Sequence, residues 1–424
     1  MAALAHKSTL ATWLRDSTVW RATVDLFAIL TAASLPWSTS LTAIFAGAML
    51  VCFVPHLDLN SFLKSLSRPV CVAPIALFLL ALLGMLWSDA AWSEQLRAVN
   101  PTAKLLVLPV LLYHFERSSS GRWVFIAFLA SCALLSVMSW LVLFDPSLSI
   151  KADSGQPGIF VKNYIDQSQE FALCAVALAF PVVKLLREKK FWLAGLLTVI
   201  GLGFLVNMAF VIVSRTAIVT MPIMFAAFVL LHLEWRSILL IFGSLAVLSL
   251  LAWQTSPPLR AKVDSFTSQY RLYKDQGVST SVGLRLEFWR KSLSFFAEAP
   301  VKGHGTGTTR SLFELAATGP HDQASSEVIS NPHNQTLNVA VQWGLIGIVI
   351  LYAMWFLHLR LVRGYGFANW IGFLVVVQNI FTSLFNSHLF DFHEGWMYVL
   401  GFGVAGGMVM KARRINSKVG ESSP

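Results

Sequence analysis

The sequence predicts an all-α polytopic membrane protein of about twelve transmembrane helices, with one long extramembrane loop that itself contains helices. Of its 424 residues, 56 % are hydrophobic and 13 % charged, against about 25 % charged in soluble domains. The apolar residues fall in runs long enough to span a bilayer, separated mostly by short polar gaps. One polar segment, from about Trp253 to Trp343, is too long to be a mere connector.

A hydrocarbon core about 30 Å thick takes about twenty apolar residues as helix, fewer where the helix is sheltered. The first two runs, Val24 to Trp37 and Leu41 to Val54, meet at a tight hairpin at Ser38-Thr39-Ser40. Val70 to Trp87 follows, then, after the polar stretch SDAAWSEQLRAVNPTAK, Lys104 to Phe115. Trp123 to Phe144 and Phe171 to Leu186 flank a loop containing KADSGQPGIFVKNYIDQ. Phe191 to Val213 and Ala217 to His232 are divided only by Ser214-Arg215-Thr216, and Ile238 to Trp253 leads into the long loop. Thr336 to Leu357, Trp370 to Phe385 and Trp396 to Met410 complete the set.

Alternate gaps carry the positive charge: Lys64 and Arg68; Arg117 and Arg122; Lys184, Arg187, Lys189 and Lys190; Arg236; Arg360 and Arg363; Lys411, Arg413 and Arg414. The positive-inside bias makes these gaps cytoplasmic, so both termini are expected inside and the long loop outside, the periplasmic face in a bacterium. The formal net charge of +10 is then a topology signal and gives no reason to invoke nucleic acid. The opening stretch is too polar for a signal-peptide core and is expected to stay uncleaved. The domain boundaries expected are 1–252 for the first nine helices, 253–335 for the loop, 336–411 for the last three helices and 412–424 for a cytoplasmic tail, of which residues 415–424 look disordered. Cys52, Cys71, Cys132 and Cys174 stand singly, without metal-type spacing.

Arg215 has apolar neighbours on both sides in VIVSRTAIVT, at an outer helix end where the positive-inside bias does not explain it. A charge there costs a few kcal/mol unless it snorkels to the interface or faces a cavity, and an anion is the natural ligand of the second arrangement. In the loop, residues 281–290 open a helix whose Leu286, Trp289, Leu293 and Phe296 repeat at helical spacing, and Pro300 ends it. Arg285 and Arg290 lie off that stripe, where a guanidinium fork suits phosphate oxygens and a solvated face is the plainer alternative. Residues 302–308, KGHGTGT, are glycine-rich enough to offer backbone N–H groups around Gly305 to a phosphate, or to form a simple turn containing His304; no Walker ending is present. His333 stands in NPHNQ where the loop re-enters the membrane, placed for a general base or, when charged, for a diphosphate.

Asn334 follows His333, then nine residues, Gly344, two residues and Gly347. With Arg285 and Trp289 four apart, Pro300, the series Gly303, Gly305 and Gly307, and Ser214-Arg215-Thr216 at an outer helix end, this pattern resembles the signature of bacterial O-antigen ligases (WaaL) of the O-antigen ligase/polymerase superfamily. The motifs span Ser214 to Gly347 in the family's order.

The resemblance implies a GT-C-like fold without metal, nucleotide or other cofactor. It implies transfer of a whole glycan from undecaprenyl diphosphate to lipid A–core at the periplasmic face of the inner membrane, with inversion. Arg215 and Arg285 would clamp the diphosphate, and His333 would deprotonate or position the acceptor hydroxyl. Arg290 and Arg310 are added candidates that the motif does not mark, and Asn334, His304 and Gly305 are candidate glycan or diphosphate contacts. Asp391 and His393, on an outer turn, are candidates for the acceptor side. Glu287, Asp322 and Glu327 are scattered as surface or loop-pairing charges. The O-antigen polymerases and protein O-oligosaccharyltransferases share the donor and are the near alternatives. A transporter, the alternative of another class, would place its charges at midplane and repeat its halves.

Overall fold

A computed structural model describes residues 17–150, 157–232, 235–320 and 323–421. The expectations for the amino-terminal stretch and for Asp322 lie outside these residues. The described chain is helical, with a lone bridge between Val278 and Gln323. In order, the helices are α1 (Ser17–Ser34), α2 (Thr39–Phe53), α3 (Leu59–Leu66), α4 (Pro69–Leu83), α5 (Trp92–Ala103), α6 (Val107–Phe115), α7 (Gly121–Phe144), α8 (Tyr164–Ala177) and α9 (Ala179–Arg187). Then follow α10 (Phe191–Phe210), α11 (Arg215–His232), α12 (Trp235–Thr255), α13 (Pro257–Gln276), α14 (Ser281–Glu298), α15 (Thr309–Leu315), α16 (Gln335–Val362), α17 (Phe367–Thr382) and α18 (Phe392–Glu421).

Among the described residues, 7 segments are long and apolar enough to cross a membrane: Thr39–His56, Pro69–Trp87, Trp92–Phe115, Gly121–Phe144, Tyr164–Arg187, Phe191–Phe210 and Gln335–Val362. Arg215–Leu231, Ala246–Thr255 and Phe367–Thr382 are shorter apolar helices. These features make the chain an integral membrane protein. One apolar core joins α1 through α11 with α16, α17 and α18, and among the described side chains takes none from α13 or α14.

Three boundaries differ from the sequence reading. The polar stretch before Lys104 is largely helix: α5 buries Gln95, Val99 and Thr102 and pairs Glu94 with Arg97 at 2.9 Å on its outer side. Helix α8 begins seven residues before Phe171 because Asn163 caps it, its Oδ1 accepting the backbone N–H of Ile165 and Asp166 at 2.9 Å each. Its first turns, Asp166 to Glu170, are buried although every side chain is polar. At the far end α18 continues to Glu421, so most of the expected tail is helical.

The long loop is a helical subdomain. Pro257 follows the cap residue Ser256, which accepts the N–H of Leu259 and donates to the carbonyl of Ala209 at 2.7 Å. This single buried hydroxyl ties the root of α13 to the end of α10, next to Arg215. Helix α14 forms between the expected ends, but its packed face is not the predicted Leu286, Trp289, Leu293 and Phe296 stripe: Leu293 is exposed, and Phe288 and Phe295 pack around Phe313 and Val341 in a second small core.

Gly344 explains how the loop is anchored. Its φ of 59° and ψ of −153° break α16, which removes the helical bonds from Leu345 to Val341 and from Ile346 to Gln342. The turn 300–305 fills the break. Leu345 and Ile346 donate instead to the carbonyls of Pro300 and Val301 at 2.8 and 3.3 Å, and the freed carbonyls of Val341 and Gln342 accept from His304 and Gly305 at 2.9 Å each. A Cβ on Gly344 would stand 2.4 Å from the Val301 oxygen.

Candidate active site

Arg215 opens α11 immediately after the break at the end of α10. Its guanidinium is aimed by one face of α13, where Ser265 and Gln269 accept from it at 2.7 and 3.1 Å and the Phe266 ring lies 4.7 Å below it. Its Nε is buried without a partner. Arg285, from the first turns of α14, reaches the same cavity of about 210 Å³, lined by Tyr164, Ile165, Ser214, Thr216, Lys262, Gln269 and Ser281 besides the two arginines. Burial, together with the charge of Arg215, lowers the proton affinity of Arg285, while Tyr164 opposes the shift. Among the described residues no carboxylate lines the cavity, and three cations face it.

Lys262 is the third cation, and sequence reasoning missed it. It lies over the Tyr164 ring at 4.9 Å, and burial and then Arg215 lower its proton affinity. Its position was foreshadowed by spacing, since Lys262, Ser265, Phe266 and Gln269 fall on one face of a helix opened by Ser256-Pro257.

His333 does not line this cavity but packs on the helix that carries Arg285. Phe288, three residues beyond Arg285 on α14, stacks on the imidazole with centroids 6.1 Å apart. The backbone of His333 is left-handed, φ 53°, which is uncommon for a side-chain-bearing residue. The Asn331 Oδ1 holds that turn by accepting the His333 N–H at 3.0 Å, and His333 Nδ1 lies 2.8 Å from Asn386 Oδ1. Burial lowers the proton affinity of His333 and outweighs the Asn386 bond, with the nearby charge of Arg285 acting in the same direction as burial. The shift disfavours the imidazolium, which suits a base better than an anion clamp.

The other candidates are placed elsewhere. Arg290 turns away to Glu287, in a two-pronged pair at 2.6 and 3.0 Å, because the carboxylate lies one helical turn back on α14. Glu287 is thereby the pairing charge the sequence suggested. Arg310 pairs with Glu314 at 2.9 Å on an exposed face. His304 bonds the carbonyl of Phe295 through Nε2 at 2.8 Å. Gly305 and its neighbours have no N–H left for a phosphate: those of His304, Gly305 and Thr306 go to backbone carbonyls, and that of Gly307 goes to Gln342 Oε1 at 2.8 Å. Asn334 is the cap of α16, its Oδ1 accepting from Leu337 at 3.1 Å. His304, Gly305 and Asn334 thus hold the loop to α16 and its cap and do not line the cavity.

Behind His333 lies a charged cluster. His393 Nδ1 is 2.7 Å from Asp166, and His388 Nδ1 is 3.2 Å from Asp391 and 3.5 Å from Glu394. Burial opposes protonation of His388, but Glu394 and Asp391 outweigh it and raise its pKa to about 10. His388, Asp391 and Glu394 have the donor set of a cation site, with ligand atoms within 4.8 Å of one another. Their charge is met from within the chain, by the imidazolium of His388 and by Lys104, whose Nζ donates to the backbone carbonyls of Phe390 and Asp391.

Residues 200–352 match the family model described as O-Antigen ligase. That span holds Arg215, Lys262, Arg285, His333, Gly344 and Gly347, so the family likeness rests on the stretch that builds the cavity and its anchor. Members of this ligase and polymerase superfamily transfer glycosyl groups. No curated protein matches the chain.

Proposed function

We propose that this protein is an O-antigen ligase that transfers O-antigen glycan from undecaprenyl diphosphate to lipid A–core at the periplasmic face of the bacterial inner membrane. The observation that carries the reading is the convergence of Arg215, Lys262 and Arg285 on one cavity with no carboxylate among its described lining residues, while the left-handed His333 stacks on Phe288 of the helix that carries Arg285. The reading includes about twelve spans in a GT-C-like arrangement, with the 253–335 subdomain periplasmic and both termini cytoplasmic.

In this reading the acceptor hydroxyl loses its proton to His333 as its oxygen bonds to the anomeric carbon. The bond from that carbon to the diphosphate oxygen breaks on the opposite side, and the leaving diphosphate takes the electron pair. The cations stabilise the charge that develops there, where a desolvated guanidinium is worth far more than in water. Displacement in one step inverts the anomeric centre.

The genetic test separates ligase from polymerase. Loss of the gene in an O-antigen-producing host should leave lipid A–core uncapped while polymerised glycan accumulates on undecaprenyl diphosphate. Lipopolysaccharide carrying a single repeat would instead identify a polymerase.

A further inference from the structure

The bonds around Asn386 fix which nitrogen of His333 can accept a proton. Asn386 Nδ2 donates to Asp391 Oδ2 at 2.6 Å, and a carboxylate oxygen accepts. On the other side, Asn331 Nδ2 donates to Asn386 Oδ1 at 3.1 Å. The orientation of Asn331 is itself set independently, because its Oδ1 accepts both the His333 backbone N–H at 3.0 Å and the Ser387 hydroxyl at 2.8 Å. Both ends of the Asn386 amide are therefore assigned by their partners. The atom facing His333 Nδ1 at 2.8 Å is a carbonyl oxygen, which requires the hydrogen to be on Nδ1. A neutral imidazole has only one N–H, so Nε2 keeps its lone pair.

We infer that Asn386 and Asp391 are positioning residues that lock His333 in the Nδ1–H tautomer, leaving Nε2 as the atom that takes the acceptor's proton. The inference rests on the proposed transfer reaction for its chemical meaning and on hydrogen-bond geometry for the tautomer. The charged groups that bear on the ring are Arg285 from α14 and Asp391 and His388 from the turn before α18. Asp391 acts on His333 through Asn386, and His388 and Lys104 hold Asp391 in place. The family motif ends at Gly347 and contains neither positioning residue.

Nitrogen-15 spectra of histidine-labelled protein in detergent read the tautomer without any activity. The His333 signals, assigned by their loss in His333→Gln, should show a protonated Nδ1 and a bare Nε2; an Nε2–H tautomer would overturn the inference. A second readout is kinetic. Asn386→Asp places a carboxylate against Nδ1, which favours the imidazolium and should move the acid limb of kcat/KM upward by about one pH unit. Asp391→Asn releases the Asn386 amide to turn over and should lower kcat by about a hundredfold, with donor KM unchanged. An unshifted pH profile in the first variant, or a loss confined to KM in the second, would contradict the assignment. Absence of transfer by wild-type protein would instead count against the proposed function, and the spectra would still decide the tautomer.

Discussion

Arg215 and Arg285 line one cavity although they belong to two different helices, Arg215 opening α11 and Arg285 lying in the second turn of α14. The helix between them, α13, turns the first guanidinium toward the second through Ser265 and Gln269. Among the described residues no carboxylate pairs with either guanidinium in this cavity, and an anionic group is the natural ligand of such an arrangement.

Replacing either arginine by lysine keeps the charge and loses the planar fork. Arg215→Lys and Arg285→Lys should each lower kcat/KM for the lipid diphosphate donor by about a hundredfold, with thermal stability in detergent retained. Equal activity in both variants would remove the cavity from the mechanism.

Lys262→Ala should act more mildly. Loss of one charge-assisted contact predicts an increase in donor KM of about tenfold with little change in kcat. Competition by inorganic diphosphate checks this, since its inhibition constant should rise in parallel.

Arg290→Ala and Arg310→Ala should leave transfer within about twofold of wild type, because both side chains are paired outside the cavity. A large loss of activity in a folded variant would show that one of these pairs opens to take substrate.

The ring of His333 binds its proton more weakly than a free imidazole, whose value is 6.5. A base must be neutral, so activity should persist below pH 6.5 and fall only as the depressed pKa is reached. The folded state also binds this proton less readily than the unfolded chain, so acidification through about 6.5 reduces stability by the same linkage. A pH profile of kcat/KM whose acid limb lies above 6.5 would contradict the placement.

Gly344→Ala tests the anchor. The left-handed backbone alone costs about 1–3 kcal/mol for a residue with a side chain, and the new Cβ meets the Val301 carbonyl oxygen, which already accepts from Ile346. The variant should unfold at lower temperature in detergent and lose activity with it; an unchanged melting curve would mean that the break in α16 does not hold the loop.

Much of this was legible in the sequence. The apolar runs gave the helices long and apolar enough to cross a membrane, Ser214-Arg215-Thr216 marked the break between α10 and α11, and helical spacing with Pro300 gave the ends of α14 almost to the residue. What sequence reasoning missed shares one physical cause, the burial of polar groups against other polar groups. Asp166 to Glu170 read as loop because a polar run looks solvated, yet α8 buries it against His393, Gln378 and Lys162. Gly305 and Asn334 looked like ligand contacts because their motif spacing is real, but the spacing serves the seam between the 300–307 turn and α16. Asn386 carried no signal, because its role depends on two partners, His333 and Asp391, that only the fold brings to it.

The most direct test is transfer by the purified protein in detergent, given undecaprenyl-diphosphate-linked O-antigen, lipid A–core and a chelator. Wild type should form capped lipid A–core and release one undecaprenyl diphosphate per glycan transferred, while His333→Ala, equally well folded, forms none. Well-folded wild-type protein that makes no product, or a His333→Ala variant that makes as much as wild type, would contradict the account.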